Sequence, residues 1–395
     1  MKILLITDGI YPFITGGMQK HSYYLAKFLT QSNIDVCLVH CTEQSGQIDE
    51  KSLPEFVDFR HEHITFKTYH FPSTDRFPGH YVRENKQFSE VIFNDLKNQL
   101  DPFDLIYCQG FTGWKFILES EKGNLKIPVI SNLHGYNMFQ KAPSFKVKLE
   151  HYLLRGIAKR VSRKSDFVFS FGGKITEILK KIGVKDEQII ESPIGIESSW
   201  LVKSPQNRKN AIRKFVFIGR YERIKGIQEL NRALQNLIHQ KTGNFEFHFI
   251  GDIPAAHRIT YPNITYHGKI TEEKKIQQIL QSSDILVCPS YSEGMPTVIM
   301  EAMASGLAII GTDVGAINQQ ITDNGWLIPD SRVETIQAAL ESAIRISDQE
   351  LTALKENSLA RVERFFLWER VIQHKIGCLE GCLGGEGKVG ASFDA

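Results

Sequence analysis

The feature that most constrains the fold of this chain is a regular alternation of short apolar runs with helical patterns, which occurs twice. Apolar runs bounded by polar residues predict buried strands, and the intervening segments repeat apolar residues at helical spacing. The predicted strands are Lys2–Ile6, Asp35–Cys41, Asp104–Cys108, Pro128–Leu133 and Phe167–Phe171, then Lys214–Ile218, Phe245–Ile250, Ile264–His267, Asp284–Cys288 and Ala308–Gly311. Because strand–helix–strand alternation favours parallel sheets with right-handed crossovers, we expect two doubly wound α/β domains.

The boundary between the two domains is predicted at a Pro/Gly/Ser-rich stretch, Glu191–Trp200. A chain of 395 residues exceeds one ordinary core, which agrees with two domains. We therefore expect domains at 1–190 and 191–365. The glycine-rich end, 381–395, is expected to be a flexible tail. Its G-x-G-x-x-G match (Gly385, Gly387 and Gly390) follows no strand and is rejected as a dinucleotide-binding motif.

Composition and charge exclude several classes of protein. The formal net charge is +2, which gives no reason to expect nucleic acid as a partner. No apolar stretch approaches the roughly 20 residues of a membrane span, and Asp8 interrupts the N-terminal apolar run too early for a signal peptide. Six cysteines without histidines at zinc spacing favour reduced thiols. We expect a cytoplasmic protein.

A pair of glutamates marks the most informative stretch, SEGMPTVIMEAMASG, which follows the predicted strand Asp284–Cys288. Doubly wound domains bind ligands at the carboxyl ends of their strands. Proline favours the start of a helix at Pro296, which leaves Glu293 in the preceding loop and Glu301 inside the helix. The N-terminus of this helix can bind an anion, whereas the two carboxylates can accept hydrogen bonds from ligand hydroxyls. The alternative is one glutamate at the start of the helix and a second that faces solvent.

A second candidate site lies in FIGRYERIKGIQEL, where Arg220 follows a strand and Lys225 precedes a helix. The helix dipole disfavours a cation at that position, so we expect a compensating anion. Arg220 can fork onto phosphate oxygens and Lys225 can act as a point charge. A solvated basic loop is the alternative.

Two weaker signals lie in the N-terminal half. The pair Gly16 and Gly17 stands at the predicted mouth of the first helix, where a phosphate can approach, although such pairs are common in turns. His134 follows a buried strand, and a single histidine there is more often structural than functional.

Two motifs are absent from the sequence. The chain has no Asp-x-Asp pair, so a divalent metal held by carboxylates has no obvious site, and we expect none. It also has no G-x-x-x-x-G-K-[ST] loop, which argues against an ATPase. A diphosphate would instead be neutralised by Arg220, Lys225 and the helix mouths.

Together these stretches resemble the GT-B fold glycosyltransferases of glycosyltransferase family 4, over roughly residues 1–380. The resemblance rests on Glu293 and Glu301 with seven residues between them, on G-R-x-x-x-x-K-G at Gly219–Gly226, and on three shorter matches. The shorter matches are the Gly16–Gly17 loop, His134–Gly135 and Trp368–Glu369. One departure is Ile194–Glu197 (IGIE), where relatives often have Asn-Gly-Ile-Asp, and we expect no binding role there.

The resemblance implies two Rossmann-like domains facing across a cleft, with 366–380 forming a helix that crosses back to the first domain. It implies a nucleoside-diphosphate sugar as co-substrate, no cofactor and no metal. Catalytic roles are implied for His134, Arg220, Lys225 and Glu293. Donor-binding roles are implied for Gly16, Gly17, Gly294, Met295, Pro296, Thr297, Val298 and Glu301.

The implied activity is retaining, metal-independent transfer of a hexose to a glycan or lipid-linked acceptor in cell-surface polysaccharide or glycolipid synthesis. No second carboxylate is evident near His134 to act as a covalent nucleophile, so a front-face displacement is expected. Two alternatives remain open, a nucleotide-sugar 2-epimerase and a non-catalytic sugar-nucleotide-binding protein.

A basic segment, residues 141–164, contains eight Lys/Arg and one acidic residue. Leu149, Leu153, Ile157 and Val161 recur every four residues and predict a helix with one apolar stripe. In one interpretation the stripe packs on the N-terminal sheet. In the other, the helix contacts an anionic membrane at the inner face of the cell membrane. Both interpretations stay open.

Overall fold

The computed structural model describes residues 1–14, 16–42, 49–72, 80–206 and 212–384. Most of the tail predicted at 381–395, including its three-glycine match, therefore lies outside the described residues. Within the described residues the chain forms two compact units. One contains Met1–Phe139, Leu149–Ile194 and the chain from Trp368, and the other contains Gln140–Lys148 and Gly195–Leu367.

The first unit contains a seven-stranded parallel sheet with the order β3-β2-β1-β4-β5-β6-β7. Its strands are β1 (Lys2–Ile6), β2 (Asp35–Cys41), β3 (Ile64–Tyr69), β4 (Leu105–Gln109), β5 (Val129–Asn132), β6 (Phe167–Ser170) and β7 (Ile189–Glu191). The helices along this part of the chain are α1 (Gly17–Gln31), α2 (His80–Leu96), α3 (Trp114–Glu121), α4 (Phe145–Lys164) and α5 (Lys174–Ile182).

The second unit contains a six-stranded parallel sheet with the order β10-β9-β8-β11-β12-β13. Its strands are β8 (Arg213–Ile218), β9 (Phe245–Ile250), β10 (Ile264–Tyr266), β11 (Ile285–Cys288), β12 (Ala308–Thr312) and β13 (Gly325–Ile328). The later helices are α6 (Ile227–His239), α7 (Glu273–Gln281), α8 (Thr297–Ala304), α9 (Ile317–Gln320), α10 (Val333–Arg345), α11 (Asp348–Arg361) and α12 (Trp368–Cys382).

The predicted α/β class, with two doubly wound sheets, is confirmed, as are all ten predicted strands. Sequence reasoning missed β3, β7 and β13. All three lie at the edge of a sheet, where strands are short and partly exposed. They therefore lack the continuous apolar run that identified the central strands, which are buried on both faces.

The strand order reverses once in each sheet, between β1 and β4 in the first and between β8 and β11 in the second. At such a reversal, the connections from neighbouring strands leave toward opposite faces and open a crevice at the carboxyl ends of the strands. The candidate site residues of each unit should therefore lie in the loops that follow these strands.

The terminal helix α12 packs against the first unit through Trp368 and Lys375, both fully buried. The indole of Trp368 stacks on Phe28 of α1 at 5.4 Å between ring centroids. The ammonium nitrogen of Lys375 lies 4.1 Å from the ring centroid of Phe169 and has no hydrogen-bond partner in the described part of the chain. Burial lowers the pKa of Lys375 from 10.5 to about 7.

The lowered pKa makes the stability of the first unit depend on pH in a defined direction. The unfolded chain binds a proton at Lys375 below about pH 10.5, whereas the folded chain binds it only below about pH 7. Stability is therefore lost as the pH falls through this window. Lys375→Met removes the buried amine and should raise the melting temperature, by more at about pH 7 than at about pH 9.5.

Thermal melts of the parent and of Lys375→Met at the two pH values measure this difference. The matched control is Lys181→Met on α5, which removes a solvent-exposed lysine. Equal gains in melting temperature at both pH values would contradict the assignment of a buried, neutral amine.

Candidate functional site

Two loops meet at the carboxyl edge of the second sheet, where its strand order reverses. The loop after β8 contains Gly219 to Gly226, and the loop after β11 contains Pro289 to Pro296. The amide of Tyr291 donates a hydrogen bond to the carbonyl of Ile224 at 2.8 Å, which joins the two loops directly.

A glycine is required where the loops approach. Gly226 has φ +69°, and a Cβ there would lie 2.0 Å from the carbonyl oxygen of Pro289. Only glycine tolerates both the left-handed conformation and this contact. The helix α6 begins directly afterwards at Ile227, as predicted, so Lys225 is held at the helix mouth.

At the centre of this candidate site is an ion pair between Lys225 and Glu293, with Nζ and Oε1 2.7 Å apart. The same oxygen accepts a hydrogen bond from the buried hydroxyl of Ser290, also at 2.7 Å. Burial by itself lowers the pKa of Lys225, but the adjacent Glu293 carboxylate outweighs it and the net pKa is raised. Lys225 is therefore a permanent cation here. The sequence predicted a ligand phosphate as the compensating anion; the structure shows the carboxylate of Glu293 beside Lys225, and phosphate binding stays a prediction.

The two arginines of the loop after β8 behave differently. Arg220 projects into solvent with 80% of its side chain exposed and pairs with Glu222 at 3.0 Å. Such an exposed pair contributes little to stability, which leaves the guanidinium available to a ligand. Arg223 instead forks onto both carboxylate oxygens of Glu229 in α6 and lies over the Tyr291 ring. Arg223 is thus a structural clamp for the loop.

The helix α8 begins at Thr297 with Pro296 as its N-cap and is followed by Gly306 at φ +78°, close to the predicted limits. Its first amides, on Thr297 and Val298, have no partner within the helix. Glu301 is half-buried and lies one turn after both residues, on the same side of the helix. The other residues of α8 pack into the core, so this side is the one that a ligand at the helix mouth can reach.

Gly315, in the turn after β12, supports the loop that carries Glu293. The amide of Ala316 donates a hydrogen bond to the carbonyl of Gly294 at 2.7 Å. Gly315 has φ +58°, and a Cβ there would lie 2.3 Å from the carbonyl oxygen of Glu293. The position of Glu293 therefore depends on a glycine outside its own loop.

In the first unit, the predicted glycines stand at the start of α1, with Gly16 as its N-cap in an extended conformation. No described atom lies within 4 Å of a Cβ built on Gly17, so the packing of the chain does not require glycine there. Asp8 follows β1 and accepts a hydrogen bond from Gln19 at 2.9 Å. Burial raises the pKa of Asp8 to about 6, against the effect of that hydrogen bond.

His134 follows β5 with φ +60°, a left-handed conformation that is uncommon for residues other than glycine, and backbone strain of this kind clusters at functional sites. Its Nε2 donates a hydrogen bond to the side-chain oxygen of Gln109 at 2.6 Å. Its ring lies against those of His21 and Phe171, and burial, with a smaller effect of Lys375, lowers its pKa to about 3. At neutral pH His134 is uncharged, so it can contact a sugar but cannot act as a general acid.

Comparison with known families now decides the class of this chain. Residues 15–200 match the family model described as Glycosyltransferase Family 4, and residues 212–345 match the model described as Glycosyl transferases group 1. The two models together span most of the chain.

The chain belongs to the glycosyltransferases.

This glycosyltransferase is 28% identical over 239 residues to a Bacillus subtilis (strain 168) glycosyltransferase named for teichuronic acid biosynthesis. That match covers 57% of each chain, so the chain spans little more than half of that relative. It is 24% identical over 398 residues to an uncharacterized glycosyltransferase of Methanocaldococcus jannaschii, covering 94% of this chain and 96% of the relative.

Among solved structures, the glycosyltransferase resembles an E. coli trehalose-6-phosphate structure bound with UDP-2-fluoro glucose. The TM-score is 0.71 at 13% identity, covering 98% of this chain and 99% of the other. The expected fold class, GT-B with two Rossmann-like domains, is confirmed.

Sequence reasoning missed several residues of the glycosyltransferase's sites. Asp8 and Ser290 each lie two residues after a predicted strand, and this position alone could have identified them. Gln109 directly follows the predicted strand Asp104–Cys108 and had the same signal, whereas Gly315 gave none, because the residues that it contacts are distant in sequence. In the described residues no group of three His, Cys, Asp or Glu side chains could hold a metal ion. Metal independence remains a prediction.

Gly315→Ala should destabilise the second unit, because a left-handed L-residue costs roughly 1–2 kcal/mol and the new Cβ meets two carbonyl oxygens. The matched control is Gly156→Ala inside α4, where no atom lies within 4 Å and alanine should stabilise by about 0.5–1 kcal/mol. Melting temperatures of the two variants should therefore move in opposite directions. A Gly315→Ala protein that melts like the parent would show that the turn does not hold the Glu293 loop.

Proposed function

We propose that this glycosyltransferase is a retaining, metal-independent hexosyltransferase that uses a nucleoside-diphosphate sugar. The observation that carries the proposal is the Lys225–Glu293 ion pair, which lies between two helix mouths at the strand-order reversal of the second sheet. A cation and two sets of free amides suit a diphosphate, while a carboxylate beside them suits sugar hydroxyls.

The diphosphate is assigned to Lys225, Arg220 and the mouth of α6. Lys225 is a permanent cation that is partly buried, so its interaction with a phosphate is less screened than that of a surface lysine. Arg220 is exposed and can swing from Glu222 to a bidentate contact with phosphate oxygens.

The sugar and the ribose are assigned to the two glutamates. Glu293 keeps its second carboxylate oxygen for the hydroxyls of the transferred sugar, with amides of the Gly294 to Val298 segment beside it. Glu301 lies one turn into α8 and takes the ribose hydroxyls, at a distance from the diphosphate charge. For the first unit, Gly16 and Gly17 are assigned to approach of the diphosphate and His134 to a contact with the sugar.

The reaction is proposed as a front-face displacement with retention of configuration. The bond from the anomeric carbon to the diphosphate oxygen breaks, the acceptor oxygen bonds to the same face, and the acceptor proton passes to the departing diphosphate. Negative charge develops on the departing diphosphate in the transition state. The fixed cation of Lys225 therefore stabilises the transition state more than the ground state.

The acceptor is proposed to be a glycan or a lipid-linked glycan of a cell-surface polysaccharide. Support comes from the B. subtilis relative named for teichuronic acid biosynthesis. The donor class is supported by the UDP-2-fluoro glucose bound in the E. coli structure of similar fold.

The proposed function is tested with a panel of labelled UDP-, GDP- and ADP-hexoses. One donor should raise the melting temperature, since a ligand that binds only the native state stabilises it. The labelled hexose should be transferred from the nucleotide to the acceptor, or slowly to water. The product should keep the anomeric configuration of the donor, and the reaction should proceed with EDTA present. Interconversion of sugar epimers would instead indicate an isomerase, and binding without turnover would indicate a non-catalytic protein. If EDTA abolishes the activity and added metal restores it, metal independence is refuted.

Lys225→Met should lower the rate of transfer by roughly 100- to 1,000-fold, the scale for losing one charge-stabilising group. Lys214→Met is a matched control, because the side chain of Lys214 is as exposed as that of Lys225 (27% against 26%). Lys214 lies in β8 and also pairs with a glutamate, at 2.8 Å. Steady-state kinetics should show Lys214→Met close to the parent. Similar losses in both variants would mean that Lys225 acts only through folding.

A further inference from the structure

The helix α4 presents large apolar side chains to solvent. Phe145 is 83% exposed and Tyr152 is 70% exposed, and Leu149 and Leu153 are also among the exposed hydrophobic residues. Scattered single hydrophobic residues are common on protein surfaces, but four within nine residues of one helix form a continuous patch.

Helix geometry explains why the predicted stripe is exposed. Residues four apart are displaced by about 40° around a helix, so Leu149, Leu153, Ile157 and Val161 sweep through about 120°. Val161 reaches the buried side, with Ala158 and Ser162, whereas Leu149 and Leu153 remain outside. The interpretation that the whole stripe packs on the sheet is therefore wrong, because only its C-terminal residue, Val161, is buried.

Phe145, Leu149 and Tyr152 are three or four residues apart and thus share one side of the helix, opposite the buried residues. We call these three residues, together with Leu153, the outward face of α4. Sequence reasoning did not identify Phe145 and Tyr152 as part of it, because they lie outside the four-residue repeat.

Cations border the outward face. Lys146 and Lys148 flank its apolar residues, and Lys159, Arg160 and Arg163 continue the same side toward the C-terminus. The helix has seven Lys/Arg residues and one acidic residue, Glu150. Arg160 and Lys164 reach Glu121, but neither Lys146 nor Lys148 makes an ion pair in the described part of the chain.

We propose that the outward face of α4 docks on an anionic lipid leaflet, with its apolar side chains entering the headgroup region and its lysines on lipid phosphates. An apolar strip bordered by cations is the pattern of helices that lie in the plane of a membrane interface. A second copy of the chain is a poorer occupant, because a two-fold contact would bring like charges together. In the described residues no helix is long and apolar enough to cross a bilayer, so this contact is peripheral.

The proposal does not depend on sugar transfer, because it stands on α4 alone. It is tested by sedimentation of the full chain with vesicles of phosphatidylcholine, or of phosphatidylcholine with about one third phosphatidylglycerol. Binding should require the anionic lipid and should weaken as salt rises, since salt screens exposed charges.

Two α4 variants separate the charges from the apolar residues. Replacing Lys146, Lys148 and Lys159 by Glu should lower the partition coefficient by more than about 10-fold. Replacing Phe145, Leu149 and Tyr152 by Ser should lower it similarly, because apolar insertion is lost while the charge is kept. Both sets are exposed, so melting temperatures should stay at the parent value.

The charge-matched control replaces Lys181, Lys274 and Lys275 by Glu, which makes the same change of net charge on other exposed surfaces. This control should bind like the parent. The proposal is overturned if the control loses as much binding as the α4 variants, if the Ser variant binds undiminished, or if the parent binds neither vesicle. A parent dimer that the Ser variant converts to a monomer in sedimentation velocity would assign the outward face to a second copy.

Discussion

The ion pair between Lys225 and Glu293 depends on the close approach of two backbones. A strand-order reversal puts the loops after β8 and β11 side by side, and Gly226 lets them come within contact distance. Lys225 would be unfavourable at the mouth of α6 without a nearby carboxylate, and Glu293 would be costly in its half-buried position without a cation. Each charge therefore makes the other possible. Within the described residues, the contacts of Glu293 with Lys225 and with the Ser290 hydroxyl are both made by its Oε1, and the other carboxylate oxygen is the one proposed to meet the donor.

The first unit holds a different electrostatic environment. His134 and His21 are packed against aromatic rings, and burial lowers the pKa of both below the ordinary range of histidine. Lys375 of α12 is buried with a pKa near 7. A cluster of weakly charged groups in low dielectric suits binding of an uncharged sugar, whereas the charged site of the second unit suits a diphosphate.

The helix α4 has a buried side and an exposed apolar side, and only the second is proposed to meet a membrane. Its buried side, with Ala158, Val161 and Ser162, fixes the helix to the first unit. Its opposite side is free of that constraint and keeps exposed aromatic residues among lysines. Such residues reduce solubility unless a partner covers them, which is why a lipid surface is the proposed partner.

The fold class, ten of the thirteen strands in the described residues (the nine central ones and the edge strand β10) and the strand-end placement of the glutamates and basic residues followed from the sequence, because periodicity and strand-end placement are local properties. The sequence did not reveal the other three edge strands, β3, β7 and β13, whose partial exposure weakens their apolar pattern. Only the tertiary structure decided that Glu293 is the counter-ion of Lys225, that Ser290 and Gly315 hold it, and that Gln109 holds His134. It also decided which side of α4 is buried. These facts depend on contacts between residues far apart in the chain, which no local pattern encodes.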